Sequence, residues 1–442
     1  MGNENNKKIS GVVERKALGT ILESERQEWT SVAFIWIGTM ICIPMLMVGG
    51  IFSSGMTLSN ITLASLIGFA ICCVIMVLTG MMGTDLGLPS AMCATKAFGD
   101  KGSSLLMSVV ILVAQLGWFG VQTAACASAF NLLLLTWEIT FPFWASCVIW
   151  GAVMLITAVY GFRFMKILNY IAVPALFLMC IYGVVNVVNT TGTEVLANYA
   201  PSSTMPLTTA ISIVIGLFAV GTVINPDYSR YSKSRKDTAL ATFIGVLPAA
   251  VLMIVMGAVL AISAGSYDIT TVFASMGLPF ISMLVLILAT WTTNTGNAYT
   301  AGIAAMKAFS IKKDELRPLV TLICGVVGTV VAIAGLANLL QAFITILSSL
   351  VPPIAGVMIA DYWIIGKGNK EKWYIMPGFN WLGIISWALG AIVSYFFSFF
   401  SPALDGIIVC CVAYLILYSI FGKYLPKKKE LAQAEKSLEG QN

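Results

Sequence analysis

Twelve apolar runs of roughly 20 residues, joined by short polar links, constrain this chain more than any other feature. They centre near residues 41, 71, 116, 151, 177, 217, 251, 293, 327, 350, 389 and 413. A run of that length crosses a hydrocarbon layer as a helix, because a helix satisfies its own backbone hydrogen bonds where no water reaches. The fold expected is therefore an all-α polytopic membrane protein with twelve transmembrane helices. Composition agrees, with 58% of residues hydrophobic and 10% charged, against about 25% charged in soluble domains. Weakly alternating segments of about 10 residues, the mark of a membrane barrel, are absent. The first 28 residues are polar and mixed in charge, so the first apolar run reads as a true transmembrane helix rather than a cleaved signal.

The basic residues supply the orientation. All 25 Lys and Arg fall in 1–28, 83–103, 161–166, 229–237, 307–317, 364–373 and 423–442. The opposite links carry Glu138, Glu194, Asp268 and Asp405 and no basic residue. Such a bias places the tails 1–28 and 423–442 in the cytoplasm, and the chain in the inner, cytoplasmic membrane. The net charge of +5 then describes a surface facing anionic lipid, not a nucleic-acid site.

The residues that are missing narrow the chemistry. There is no histidine, and the ten cysteines lack zinc-type spacing. Mid-span carboxylates, lysines and arginines are absent, since Asp85, Asp227 and Asp361 all stand near cytoplasmic ends. An intramembrane enzyme needs an acid, a base or a metal cage at depth. A proton-coupled carrier usually needs an embedded titratable relay. Both expectations point to a neutral cargo and to a sodium-type ion held by neutral oxygens, without any other cofactor. Asp227 and Arg230 lie three apart in NPDYSRY and are expected to pair as a structural or gating latch at a helix end.

Against this apolar background one run is polar: Ala289–Ala301, ATWTTNTGNAYTA. Hydroxyls and amides at membrane depth are tolerated where they pair or line a cavity. The run is read as one wall of a site for a neutral polar molecule and a bare cation. Thr292 and Thr293 are expected to face the first span, with back-bonding to their own helix carbonyls as the competing reading, and Asn297 the centre. In the third span Gln115, Trp118 and Gln122 stand at i, i+3 and i+7, on one helical face. An indole stacks on a flat ring while amides read its edge. The competing reading is amide glue between helices. Phe218, beside Leu217 and a glycine-rich stretch of the sixth span, offers a second stacking ring or a packing residue.

The two halves also resemble one another. Gly38-Thr39 with Pro44 in the first span matches Gly216 and Gly221-Thr222 with Pro226 in the sixth, about 180 residues on. Spans three and eight form a second such pair. This divides the chain into five-helix repeats at 29–190 and 205–366, followed by two further helices at 378–422. Because five is odd the repeats are inverted, and such carriers bind substrate between repeats, where two helices break.

These pieces carry a resemblance. GTDLGLPSAMCATKAFG from Gly83, QLGWFGVQ from Gln115, NPDYSRY from Asn225, WTTNTGNAY from Trp291, PPIAGVMIADYW from Pro352 and FNWLGIISWALG from Phe379 occur in family order. With them the chain resembles the nucleobase–cation symporters, and among these most closely the cytosine permeases. The resemblance implies the leucine-transporter-type fold, an inverted five-plus-five core with two extra helices, working by alternating access as a monomer. It implies that Trp118 stacks on the base, with Gln115 and Gln122 as amide partners, Phe218 as the aromatic of helix six and Asn297 as the substrate-facing amide of helix eight. It also implies a sodium site from carbonyls of Gly38, Ile41 and Ala289 with hydroxyls of Thr292 and Thr293. Leu217 and Val220 depart from the pattern, since cytosine carriers offer small polar groups there. Cytosine is the favoured cargo, with allantoin, hydantoin, purines and a hydroxymethylpyrimidine as alternatives, and sodium or proton as the coupling ion.

Overall fold

A computed structural model describes residues 20–426 and 428, apart from Gly161, Lys312 and Ser398. Most of the two expected tails, 1–19 and 429–442, lies outside the described residues. Among the described residues fifteen helices of eight residues or more account for the apolar runs. They are α1 (Trp29–Met40), α2 (Ile43–Ser53), α3 (Leu58–Leu86), α4 (Asp100–Leu135), α5 (Phe143–Tyr160), α6 (Phe162–Thr191), α7 (Leu207–Leu217) and α8 (Ala219–Ser229). There follow α9 (Arg235–Ala264), α10 (Pro279–Ala308), α11 (Arg317–Ile333), α12 (Leu340–Leu350), α13 (Pro352–Ile359), α14 (Trp381–Phe396) and α15 (Pro402–Phe421). No β-strand occurs among the described residues. Among the described residues seven spans are long and apolar enough to cross a membrane, or eight with the bent pair α1–α2 taken as one span. Helices α5, α11 and α14 are apolar but shorter, while the 30-residue α10 carries the polar run.

Three runs break, each for a local reason. Between α1 and α2 the chain bends by 53°. Ile41 (φ −79°, ψ 80°) and Cys42 (φ −146°, ψ 159°) leave helical geometry there. The Cys42 N–H donates to the Met40 carbonyl at 2.9 Å, so Gly38 loses the helical bond that Cys42 would have given it. Pro44 falls in the first turn of α2, where a missing N–H costs nothing. The sixth run breaks at Phe218 (φ −116°, ψ 22°). The tenth breaks at Val351, just before Pro352 and Pro353, and winds into a π-helix over Ala360–Ile365. There the Trp387 indole donates to the Leu350 carbonyl at 3.0 Å, satisfying an acceptor the break exposes.

Pro226, inside α8, follows the same logic. It has no N–H to give the Thr222 carbonyl, and the Thr79 hydroxyl of α3 donates to that carbonyl instead, at 2.8 Å. Two more hydroxyls tie α8 to α3: Ser229 donates to the Gly80 carbonyl at 2.7 Å and Thr84 to the Ser229 carbonyl at 2.9 Å.

The helices sort into two packed groups. Helices α1, α2, α3, α7, α8 and α9 contact one another, α9 lying against α1, α2 and α3 and α3 against α7 and α8. Helices α4, α5, α6, α10 and α11 form the second group, with α4 against α10 as its most extensive contact. Helix α12 bridges them, packing on α7 and also touching α4; α13 is buried against α8, α3 and α15, and α14 packs on α15. Glycines set the closest approaches. At Gly49 and Gly257, for instance, an added Cβ would overlap the backbone across the α2–α9 contact.

Candidate binding site

The site is built on the α4–α10 contact. Helix α4 carries Gln115, Trp118 and Gln122 on one face, and α10 carries the polar run. Asn294 joins them. Its amide nitrogen donates to the Phe119 carbonyl at 3.0 Å and the Thr123 hydroxyl at 2.9 Å, and its oxygen accepts from the Asn297 amide at 3.1 Å. Asn297, half-buried, is thereby oriented by Asn294 rather than by a contact of its own to α4. The sequence reading left Asn294 without a role, although its i, i+3 spacing to Asn297 on a polar face was a usable signal.

The glutamines are the most informative groups. Gln122 is 1% exposed, and its Oε1 has no hydrogen-bond partner among the described residues. The Oε1 of half-buried Gln115 is also buried and unpartnered. Leaving a buried acceptor unpaired costs about 1–3 kcal/mol. Two of them, on either side of Trp118 along one face, invite a ligand that brings N–H donors.

The threonine pair converges on one carbonyl. Thr292 and Thr293 donate to the Ala289 carbonyl at 2.9 and 3.0 Å, rather than pointing hydroxyls across to the first span. This is back-bonding to their own helix, the reading that competes with an ion site, although each hydroxyl keeps its acceptor lone pairs. A Cβ added at Gly38 would meet nothing within 4 Å, so open space adjoins this residue. Helix α10 contacts α2, the second half of that span.

Phe218 stands apart from Trp118. Its ring packs edge-on to Trp36 at 5.7 Å and tilted to Phe69 at 6.4 Å between centroids, and it lies over Gly221 of its own run. Leu217 is buried beside it. The ring on Trp118 is Phe343 of α12, with centroids 5.3 Å apart and planes at 77°. The sequence offered no signal for Phe343, one phenylalanine in an apolar helix.

Asp227 and Arg230 meet through the backbone. The guanidinium Nε donates to the Asp227 carbonyl at 3.2 Å, while the Asp227 carboxylate accepts the Ser90 N–H at 2.9 Å. A cavity of about 780 Å³ opens elsewhere, lined by Arg26, Asp85, Lys233, Arg235 and Lys370 among others. It contains none of the residues above, and its charged walls suit solvent better than a neutral cargo.

Comparison with known proteins identifies the family of this chain. A family model described as permease for cytosine/purines, uracil, thiamine, allantoin matches residues 20–420. The cytosine permease of Escherichia coli (strain K12) is 28% identical over 416 residues, covering 92% of this chain and 94% of that protein. The hydantoin permease of Microbacterium maritypicum is 26% identical, covering 83% and 80%. The solved inward facing conformation of Mhp1 superposes with a TM-score of 0.84 at 22% identity, covering 95% of this chain and 96% of that one. The chain therefore belongs to this permease family, the nucleobase–cation symporters, as a multi-pass membrane transporter of the nucleobase class and not an enzyme.

Proposed function

We propose that the protein is a sodium-coupled symporter that imports a neutral planar nucleobase, cytosine before the alternatives, across the cytoplasmic membrane. The observation that carries this reading is the pair of buried, unpartnered acceptors, Gln115 Oε1 and Gln122 Oε1, flanking Trp118. A base with exocyclic and ring N–H groups satisfies both while its face lies on the indole. Asn297 supplies a further amide, and Leu217 and Phe218 form an apolar wall at the break of the sixth run. Allantoin, hydantoins, purines and a hydroxymethylpyrimidine also carry N–H donors and remain the rival cargoes.

Sodium is assigned to the carbonyls of Gly38, Ile41 and Ala289 with the hydroxyls of Thr292 and Thr293. Hard monovalent cations take several neutral oxygens, and unwound helix supplies them. In this assignment the hydroxyls of Thr292 and Thr293, back-bonded to the Ala289 carbonyl of their own helix, turn to the ion when it binds. Coupling requires the ion to bind the outward state better than the inward one. In this reading the chain has twelve spans, with five-helix repeats at 29–190 and 205–366 inverted about the site, two added helices at 378–422 and both tails in the cytoplasm. It works as a monomer, with Asp227 and Arg230 at a cytoplasmic gate.

The test is uptake of labelled cytosine in cells, with sodium and with choline in its place, competed by adenine, uracil, allantoin and hydroxymethylpyrimidine. Sodium-dependent uptake blocked most strongly by cytosine is expected. Uptake indifferent to choline but abolished by a protonophore overturns the sodium assignment, and no competition by any planar heterocycle overturns the cargo.

A further inference from the structure

The cavity of about 780 Å³ that the cargo site leaves unused is assembled from four stretches far apart in the chain. They are the segment before α1, the end of α3, the α8–α9 link and the loop after the tenth run. Each falls within one of the basic segments 1–28, 83–103, 229–237 and 364–373. The walls carry Arg26, Lys233, Arg235 and Lys370 against Glu23 and Asp85. Two of these cations already have a carboxylate. Arg235 donates to Asp85 at 2.9 Å and lies over the Trp363 ring at 4.8 Å, and Lys233 pairs with Glu28. The other two do not. Half-buried Arg26 is fixed by neutral carbonyls, donating from Nη1 to Ser232 at 2.8 Å and from Nη2 to Thr84 at 3.0 Å. Its buried Nε has no hydrogen-bond partner among the described residues. Lys370 likewise has no ion pair among the described residues.

We propose that this cavity binds a phosphate group, with Arg26 and Lys370 as the cations that hold it. Carbonyls orient the Arg26 guanidinium without neutralising it, which leaves its charge for a ligand. A phosphoryl group offers several anionic oxygens, and planar guanidinium and mobile ammonium groups are the side chains that bind it best. The ligand joins the segment that enters α1 to the loop that follows the tenth run, and so braces two stretches that share no covalent neighbour. On the orientation proposed above, it comes from the cytosol as a free phosphate or phosphoester, or from the inner leaflet as a lipid headgroup.

The experiment is thermal denaturation of the purified full chain in an uncharged detergent, titrated with inorganic pyrophosphate at constant ionic strength. It is repeated in nanodiscs of phosphatidylglycerol and of phosphatidylcholine. A saturable rise in melting temperature is expected. Lys370→Gln breaks no ion pair among the described residues and should raise the half-maximal pyrophosphate concentration roughly 2- to 5-fold, the worth of one exposed charge pair. Arg26→Gln should raise it roughly tenfold or more, as for a hydrogen bond to a charged group. Glu23→Gln removes a repelling carboxylate and should lower it. Lys423→Gln, basic but outside the cavity, should leave it unchanged. Stabilisation by pyrophosphate marks a soluble phosphate as the ligand. Stabilisation by phosphatidylglycerol alone, lost in Lys370→Gln, marks a headgroup, and either result supports the site. No stabilisation by either, or an effect that Lys423→Gln weakens as much as Lys370→Gln does, overturns it. Cytosine takes no part in these readings, so failure here leaves the cargo assignment standing, and failure of cytosine uptake leaves this site standing.

Discussion

The ion pair between Lys96 and Asp361 permits a quantitative test of how dry the inside of this protein is. The Lys96 ammonium donates to both Asp361 oxygens, at 2.7 and 2.9 Å, and the Tyr414 hydroxyl donates to Oδ1 at 3.0 Å. The two side chains are 9% and 4% exposed. They join the short helix Thr95–Phe98, the π-helical end of the tenth run and α15. Asp361→Asn keeps the shape and removes the counter-charge, leaving a buried ammonium. Breaking one side of a buried pair costs about 3–5 kcal/mol. That is roughly a factor of 10² to 10⁴ in the folding equilibrium, and a large part of a typical margin of about 5–15 kcal/mol. Replacing both members, Lys96→Met with Asp361→Leu, removes both desolvation costs and should be neutral or stabilising by about 1–4 kcal/mol. The Tyr414 hydroxyl then loses its acceptor, which returns about 1–3 kcal/mol, so the double variant should lie close to the unaltered protein. Thermal denaturation of the detergent-purified protein, followed by loss of the monodisperse chromatographic peak, reads the order. The single variant should melt far below the other two. A single variant as stable as the parent, or a double variant as damaged as the single one, refutes the burial argument and means that water reaches the pair.

Three further outcomes follow from the binding site. Trp118→Ala should weaken cytosine binding by about 1–3 kcal/mol, the usual worth of a base stacked on an aromatic ring, measured by equilibrium binding with protein amount held constant. Thr293→Ala removes one oxygen from the group at Ala289 and should raise the sodium concentration for half-maximal uptake by roughly tenfold or more, since a contact to a charged partner is worth about 1.5–3 kcal/mol; a change in base preference without that rise would move Thr293 to the cargo side. Asn294→Ala cuts the link from α10 to Phe119 and Thr123 and frees Asn297. It should lower both melting temperature and cytosine affinity, whereas a loss of stability with full affinity would show that Asn297 does not depend on it.

Much of the architecture was legible because the constraint was severe. In a hydrocarbon layer each backbone group needs an internal partner, so apolar length alone reveals where helices lie. The breaks at Ile41–Cys42 and at Phe218 fell beside the flagged glycines, and Pro226 left the acceptor that Thr79 meets. The site was legible in part. Gln115, Trp118 and Gln122 share a face by spacing alone, and among the described residues the two glutamine Oε1 atoms have no hydrogen-bond partner. Asn294, Phe343 and the Lys96–Asp361–Tyr414 cluster were not foreseen. Their partners lie 175, 225, 265 and 53 positions away in the chain, and no local pattern encodes such pairings.

By itself, then, the sequence determined that this chain lives in a membrane, where its helices run and which of them carry polar faces, because these follow from hydropathy and helical period along one dimension. Tertiary structure decided which polar faces meet. It set Asn294 against α4 rather than against the first span, turned both threonine hydroxyls onto the Ala289 carbonyl, packed Phe218 on Trp36 and Phe69, and laid Phe343 on Trp118. The physical reason is that side-chain partners are chosen by close packing between helices far apart in the chain, where the absence of a Cβ at one glycine decides whether a ring fits.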